Sequence, residues 1–187
     1  MEEKLVVGLA GMPGAGKSLV VEVARERGYG VVVMGDEVRE EARRRGLEPN
    51  PENIGRLMLE LRRLEGKEAI AKRCLAKILE KPEEKVLVDG IRSLAEVEAF
   101  KSSFKNFVLL AVHAPPDVRF QRLKSRGRSD DPKNWKIFRE RDMRELGVGL
   151  GNTIAMADYM VVNNGSLEEA KRKIEEVLTR IEARWTA

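Results

Sequence analysis

The chain has 187 residues, 42% apolar and 35% charged, and 35 Lys and Arg against 31 Asp and Glu leave a formal charge of only +4. Interleaved charge with this much apolar content excludes a disordered chain and predicts one domain, residues 1–187, large enough to bury a core. The single cysteine, Cys74, excludes an internal disulfide and a cysteine-based metal centre.

No uncharged apolar run reaches the 18 or so residues of a membrane span. The start, Met1-Glu2-Glu3-Lys4, lacks the basic opening of a signal peptide, so the expectation is a cytoplasmic protein with no membrane partner. No Lys/Arg block is longer than Arg43-Arg44-Arg45, and aromatics at 5% are too sparse for a base-stacking platform, which argues against nucleic acid. High charge density with one glutamine, Gln121, is the composition of a heat-adapted source.

Five short apolar runs punctuate the chain: Leu5–Leu9, Val31–Met34, Val86–Val88, Phe107–Val112 and Tyr159–Val162. They are continuous rather than alternating, as in strands covered on both faces, and helical patterns separate them. The prediction is an α/β fold with a doubly wound, five-stranded parallel sheet, whose ligands sit at the carboxyl ends of the strands.

Directly after the first run comes Gly11-Met12-Pro13-Gly14-Ala15-Gly16-Lys17-Ser18, with Leu19 opening the helical pattern behind it. This fits G-x-x-x-x-G-K-[ST] without a mismatch. Its glycines let backbone N–H groups turn inward around phosphate oxygens at the positive end of a helix. Lys17 reaches the β/γ-phosphates in such loops and Ser18 ligates Mg²⁺, so ATP and magnesium are the expected ligands. A GTP-reading Asn-Lys-x-Asp motif is absent from the sequence.

The second run ends in Gly35-Asp36-Glu37-Val38-Arg39 and the third in Asp89-Gly90-Ile91-Arg92. Each sets a carboxylate and an arginine three residues apart at the carboxyl edge of the sheet. Carboxylates there hold Mg²⁺ (Asp89) or orient and deprotonate an acceptor (Asp36), while Arg39 and Arg92 clamp phosphate. The pattern resembles nucleoside monophosphate kinases of the adenylate kinase type, although the second segment is one residue shorter than theirs, which leaves the aim of Arg92 open. Asn50-Pro51 starts a helix carrying Ile54, Leu57, Leu61, Leu64, Ala71, Leu75 and Ile78, with Gly66 as a break point and Pro82 as its stop. Arg62 on that helix either reaches acceptor phosphate or makes a surface ion pair. Cys74 reads as core.

After the fourth run, Arg119, Arg122 and Arg126 share one helical face without matching acids nearby, and Arg128-Ser129-Asp130-Asp131 follows. Unneutralised arginines of this kind suit a lid over phosphate, here about 115–147, with Arg122, Arg126 and Arg128 stabilising transferred charge and Arg139 contacting the acceptor. Asp131-Pro132 reads as a helix start ahead of Trp135, Phe138 and Leu146. His113, Trp135 and Phe138 read as structural.

The stretch Ala157-Asp158-Tyr159-Met160-Val161-Val162-Asn163-Asn164-Gly165-Ser166 resembles the end of dephospho-CoA kinases. That resemblance implies that Asn163 and Asn164 lie near the adenine of ATP; a plain strand-to-helix turn is the alternative. Ser166-Leu167-Glu168-Glu169 forms a capping box before a helix burying Ala170, Ile174, Val177 and Ile181. From about Leu5 to about Ile181 the chain resembles an archaeal family of nucleotide kinases related to dephospho-CoA kinase, whose members carry Asp-Gly-Ile-Arg-Ser and Arg-Gly-Arg-x-Asp-Asp-Pro as here. The resemblance implies a P-loop kinase fold, a helical acceptor-binding region at about 36–80 and a short lid. The expected activity is ATP- and Mg²⁺-dependent phosphoryl transfer to a small phosphate-bearing acceptor. The rival reading is an ATP-binding regulatory or RNA-associated protein without such turnover.

Overall fold

The computed structural model describes residues 4–128 and 131–186. Its strands are β1 (Leu5–Ala10), β2 (Gly30–Val33), β3 (Lys85–Asp89), β4 (Asn106–His113) and β5 (Tyr159–Val162). They form one sheet in the order β2-β3-β1-β4-β5, every neighbouring pair parallel. The order reverses at β1, so the crevice between the carboxyl ends of β1 and β3 is where such a sheet receives a ligand.

Helices cover both faces, which is why the strands read as unbroken apolar runs. On one face Val6, Val86, Val88 and Leu109 pack beneath α2 (Met34–Arg44), α3 (Pro51–Glu65), α4 (Ala69–Glu80), α5 (Leu94–Ser103) and α8 (Leu150–Ala155). On the other, Leu5, Val7, Leu9, Leu110 and Val112 pack against α1 (Lys17–Glu26) and α9 (Leu167–Trp185). Two further helices, α6 (Pro116–Arg126) and α7 (Trp135–Val148), contribute residues to the cleft at the carboxyl edge of the sheet. Cys74 is fully buried, as its apolar helix face predicts.

Local signals place most ends. Asn50 caps α3 through its side chain, which accepts from the Asn53 N–H at 2.9 Å, worth about 1 kcal/mol. Ser166 and Glu169 form the expected capping box on α9.

Several details differ from the sequence reading. Met34 opens α2 instead of closing β2. The helix after Asn50 does break at Gly66, whose φ of +102° ends α3, but Leu64 is left 60% exposed rather than in the core. The α7 helix starts at Trp135 under an Asn134 cap, not at Asp131-Pro132, since the Asp131 carboxylate is held by Arg126 and by the Arg128 N–H. In α9 the buried residue is Leu178, with Val177 only half-buried beside it, and Leu146 of α7 is exposed.

Glu41 on α2 is a buried carboxylate serving Arg44, Arg45 and Arg73, the last reaching across from α4. The Arg44 hydrogen bond leads in holding its pKa down to about 2, against 4.5 for a free glutamate. A carboxylate lowered in this way contributes stability above about 4.5 that disappears as the pH falls toward about 2. Glu41→Gln should therefore lower the thermal midpoint at pH 7, with the gap from wild type narrowing steadily as the pH falls through that window, read by calorimetry.

Candidate active site

The segment after β1 winds around the start of α1. Gly16 sits at φ +107°, and a side chain there would meet the amide of Asn163 at 2.2 Å, so the position requires glycine on both counts. Pro13, Gly14, Gly16, Lys17 and Ser18 line a cleft of about 460 Å³ at the carboxyl edge of the sheet. Gly11, Met12 and Ala15 are buried behind it. Leu19 packs its side chain toward the α1–α9 core and gives its N–H to the Gly16 carbonyl, so it faces away from the cleft.

Lys17 folds back to donate to the Gly11 carbonyl at 2.6 Å. Removal from water lowers its pKa, opposed by the nearby Asp89 carboxylate. Asp89, the last residue of β3, lies in the same cleft with its pKa raised by burial against the pull of Lys17 and Arg92. Its Oδ1 is buried and makes no hydrogen bond to the described residues. An orphaned carboxylate oxygen and the Ser18 hydroxyl in one cleft, beside a loop shaped for phosphates, suit a hard divalent cation such as Mg²⁺.

Past Asp89 the chain turns sharply. Gly90, at φ +108°, lets both its own N–H and that of Ile91 reach the Leu9 carbonyl, which throws Arg92 toward the cleft. Arg92 contacts the Met58 sulfur through Nη1, and its Nε lies 3.5 Å from Glu145. Arg62 lines the same cavity from α3, paired to Glu96 at 2.5 Å. That ion pair is buried, where the sequence reading allowed only a surface one. Arg39 also lines the cleft from α2. Asp36, the third residue of α2, is exposed and is not one of the residues lining the cleft, and its carboxylate is taken by Arg39.

The lid arginines are not left without partners as the sequence suggested. Arg119 is buried and ion-paired to Asp142 of α7, and it also donates to the carbonyls of Pro13 and Ala114. Arg126 pairs with Asp131. Local spacing concealed Asp142 because it lies 23 residues away and meets Arg119 only when α6 packs on α7. Arg122 differs: it donates to the carbonyl and side-chain oxygen of Asn163 at 3.1 and 3.0 Å, with no acid partner among the described residues, and burial lowers its pKa. Arg122, Arg126 and Arg128 all reach the cleft wall. Ser129 and Asp130, also part of the expected lid edge, lie outside the described residues.

Two expectations move. Arg139 is exposed on the outer face of α7 with Trp135, Lys136 and Met143, because helical periodicity turns Phe138, Arg141, Asp142 and Glu145 inward instead. Arg141 and Glu145 are thus the α7 residues on the cleft wall. Asn163 has its side chain committed: Nδ2 donates to the Ala15 carbonyl at 2.9 Å while Oδ1 accepts from Arg122. It braces the loop, and Asn164 beside it is exposed. Trp135 and Phe138 pack with Phe120 as an aromatic cluster, as expected of structural residues, although Trp135 keeps 42% exposure. His113 is exposed and contributes only its carbonyl, which accepts from the Asn163 N–H.

Sequence reasoning missed Glu96. It is fully buried; Oε1 takes Arg62, and Oε2 accepts the N–H groups of Arg92 and Ser93. Its signal was present, since Ser93-Leu94-Ala95-Glu96 is a capping box like the one at Ser166, and Ser93 caps α5 in that way.

Two outcomes follow from these charges. Because burial raises the pKa of Asp89, its ionised form costs the empty protein stability at neutral pH, and that cost fades as the pH falls through the raised value. Asp89→Asn should raise the thermal midpoint without nucleotide by a few degrees at pH 7, while reducing the further rise that Mg·ATP brings. Asp142→Ala strands the buried Arg119 cation and should destabilise the fold by about 3–5 kcal/mol in denaturant titrations.

A family model described as an AAA domain matches residues 10–139, from the phosphate loop to the middle of α7. Among solved structures, TT1252 from Thermus thermophilus superposes with a TM-score of 0.64 at 21% identity, covering 95% of this chain and 98% of that one. A shikimate kinase from Acinetobacter baumannii in complex with shikimate gives 0.60 at 16%, covering 98% and 96%. At those identities the likeness speaks for the fold, which is that of P-loop kinases. No helix among the described residues is long and apolar enough to cross a membrane. The archaeal relatives are thermophiles, in line with the heat-adapted composition. With 52% identity over 178 residues to the UPF0200 protein of Hyperthermus butylicus, covering 95% of both chains, this chain belongs to the archaeal UPF0200 family of P-loop proteins.

Proposed function

We propose that the chain is an ATP- and Mg²⁺-dependent phosphotransferase acting on a small phosphate-bearing acceptor, a nucleoside monophosphate or a dephospho-CoA-like molecule. The observation that carries this reading is a second cationic group, Arg39, Arg62 and Arg92, in the same cleft as the phosphate loop. A protein that only sensed ATP would need no such second site. The P-loop kinase fold supports nucleotide-dependent phosphotransfer in general, and the shikimate complex of one structural neighbour supports a small-molecule acceptor.

In this reading free backbone N–H groups of the phosphate loop and of the α1 terminus bind the donor phosphates, and Lys17 leaves the Gly11 carbonyl to neutralise them. Ser18 and Asp89 hold Mg²⁺, which when bound offsets phosphate charge and fixes the donor's geometry. An acceptor oxygen attacks the γ-phosphorus, the bond to the β-bridging oxygen breaks, and ADP leaves. Arg122, Arg126 and Arg128 stabilise the charge on the moving group. Arg39, Arg62 and Arg92 hold the acceptor. A phosphate acceptor is already ionised; a hydroxyl acceptor must lose a proton, which in this reading Asp36 takes once Arg39 turns to the substrate.

The test is ADP formation from Mg·ATP at elevated temperature with AMP, CMP, UMP, GMP, dTMP or dephospho-CoA. One acceptor should stimulate turnover, and Lys17→Ala should remove that stimulation by on the order of 10²–10³-fold. Asp36→Asn should cost a hydroxyl acceptor about 10²-fold or more and a phosphate acceptor little. Tight ATP binding with no stimulation by any acceptor would turn the assignment to the regulatory reading.

A further inference from the structure

Asn163 is 6% exposed and is not among the residues lining the cleft, yet its amide meets both the phosphate loop and a cleft arginine. Nδ2 donates to the Ala15 carbonyl at 2.9 Å. Oδ1 accepts from one Nη of Arg122 at 3.0 Å, and the Asn163 carbonyl accepts from the other at 3.1 Å. The backbone is held in turn, since the Asn163 N–H donates to the His113 carbonyl at 2.8 Å where β4 and β5 pair.

These contacts specify an amide. One end must donate to a carbonyl while the other accepts from a guanidinium; a carboxylate only accepts, and a flipped amide would oppose oxygen to oxygen and N–H to N–H. The amide also sits close against the loop, because a Cβ at Gly16 would lie 2.2 Å from Nδ2. Across a planar trans peptide the carbonyl and the next N–H point in opposite directions. The bond to the Ala15 carbonyl therefore fixes the direction of the Gly16 N–H, a donor of the phosphate loop. The bond to Oδ1 fixes Arg122, whose guanidinium belongs to the cleft wall. The strand-to-helix turn itself needs neither contact, since Ser166 caps α9 three residues further on.

We infer that Asn163 is a positioning residue for phosphoryl transfer: from outside the cleft its amide ties Arg122 to the phosphate loop, so that both act on one phosphate chain whatever base the nucleotide carries. This deepens the phosphotransferase reading of the same site and rests on it.

The experiment displaces a fluorescent ATP analogue, in the presence of Mg²⁺, with a non-hydrolysable ATP analogue or with inorganic tripolyphosphate, which has no base. Each variant is measured below its own melting transition. Asn163→Ala should weaken both ligands about tenfold, the size expected when hydrogen bonds to a charged group are lost. Asn163→Asp, isosteric and therefore the test should the alanine variant not fold, should weaken both further. It removes the donor to Ala15 and sets a negative charge beside Arg122. Arg122→Ala should weaken both as well, and the double variant Asn163→Ala with Arg122→Ala should lose at least about threefold less than the product of the single losses. With an acceptor that stimulates turnover, Asn163→Ala should lower kcat about tenfold at saturating ATP and leave the acceptor KM within about threefold. Variants that melt lower but bind tripolyphosphate as wild type does would reduce Asn163 to a structural residue and overturn the inference. So would a loss confined to the ATP analogue, which marks a base contact, single losses that multiply, or no binding of tripolyphosphate by wild type. Failure of wild type to bind the ATP analogues, or binding without stimulation by any acceptor, would instead strike the phosphotransferase reading; in the latter case the binding comparisons still decide whether Asn163 couples loop to arginine.

Discussion

A buried carboxylate, Glu96, joins the two halves of the site. It lies at the start of α5, immediately beyond the end of β3, and it holds the α3 guanidinium of Arg62 and the backbone of Arg92 at once. A charge removed from water this completely is tolerated only when its oxygens are occupied, and here the occupants belong to residues that line the cleft, Arg62 and Arg92, together with Ser93. The sheet edge and α3 are therefore one electrostatic unit. Displacing α3 would leave Glu96 unpaired, which ties the position of this cleft wall to that of Asp89, seven residues earlier.

A comparable device steadies the donor side. Asn163, carried in from the far end of the chain on β5, holds the Ala15 carbonyl with its amide nitrogen and Arg122 with its oxygen. Arg119 holds the Pro13 carbonyl and the α7 residue Asp142. The phosphate loop is thus gripped by two of the three arginines of α6, Arg119 directly and Arg122 through Asn163. The lid and the loop share hydrogen bonds, so movement of α6 and α7 over the cleft must be felt by the loop that carries Lys17. Pairing also sorts the arginines by task. Arg119 is spent on an ion pair, whereas Arg122 faces only neutral oxygens among the described residues.

The cleft keeps opposed charges partly out of water before any ligand arrives. Burial lowers the pKa of Lys17 and raises that of Asp89, so both charged forms are disfavoured by their surroundings while attracting each other. Triphosphate and a divalent cation are the partners that would relieve this on either side. The empty site is in that sense a local cost to stability that ligand binding recovers, a common arrangement where function and folding compete.

The sequence by itself determined the fold class, the strand order of appearance, the phosphate loop and the Asp36/Arg39 and Asp89/Arg92 pairs, because each rests on local facts: a buried strand needs a continuous apolar run, and a phosphate-binding turn needs glycine where φ is positive. It also carried the Ser93–Glu96 capping box, though nothing local says that its glutamate will meet Arg62 34 residues away. Only the tertiary structure decided which charges meet. Asp142 neutralised Arg119, the Asn163 side chain became a brace between Ala15 and Arg122, Arg39 took the Asp36 carboxylate, and Arg139 turned away while Arg141 and Glu145 turned in. Periodicity assigns a residue to a face of its helix, but packing assigns that face to a neighbour, and electrostatic roles follow from the neighbour.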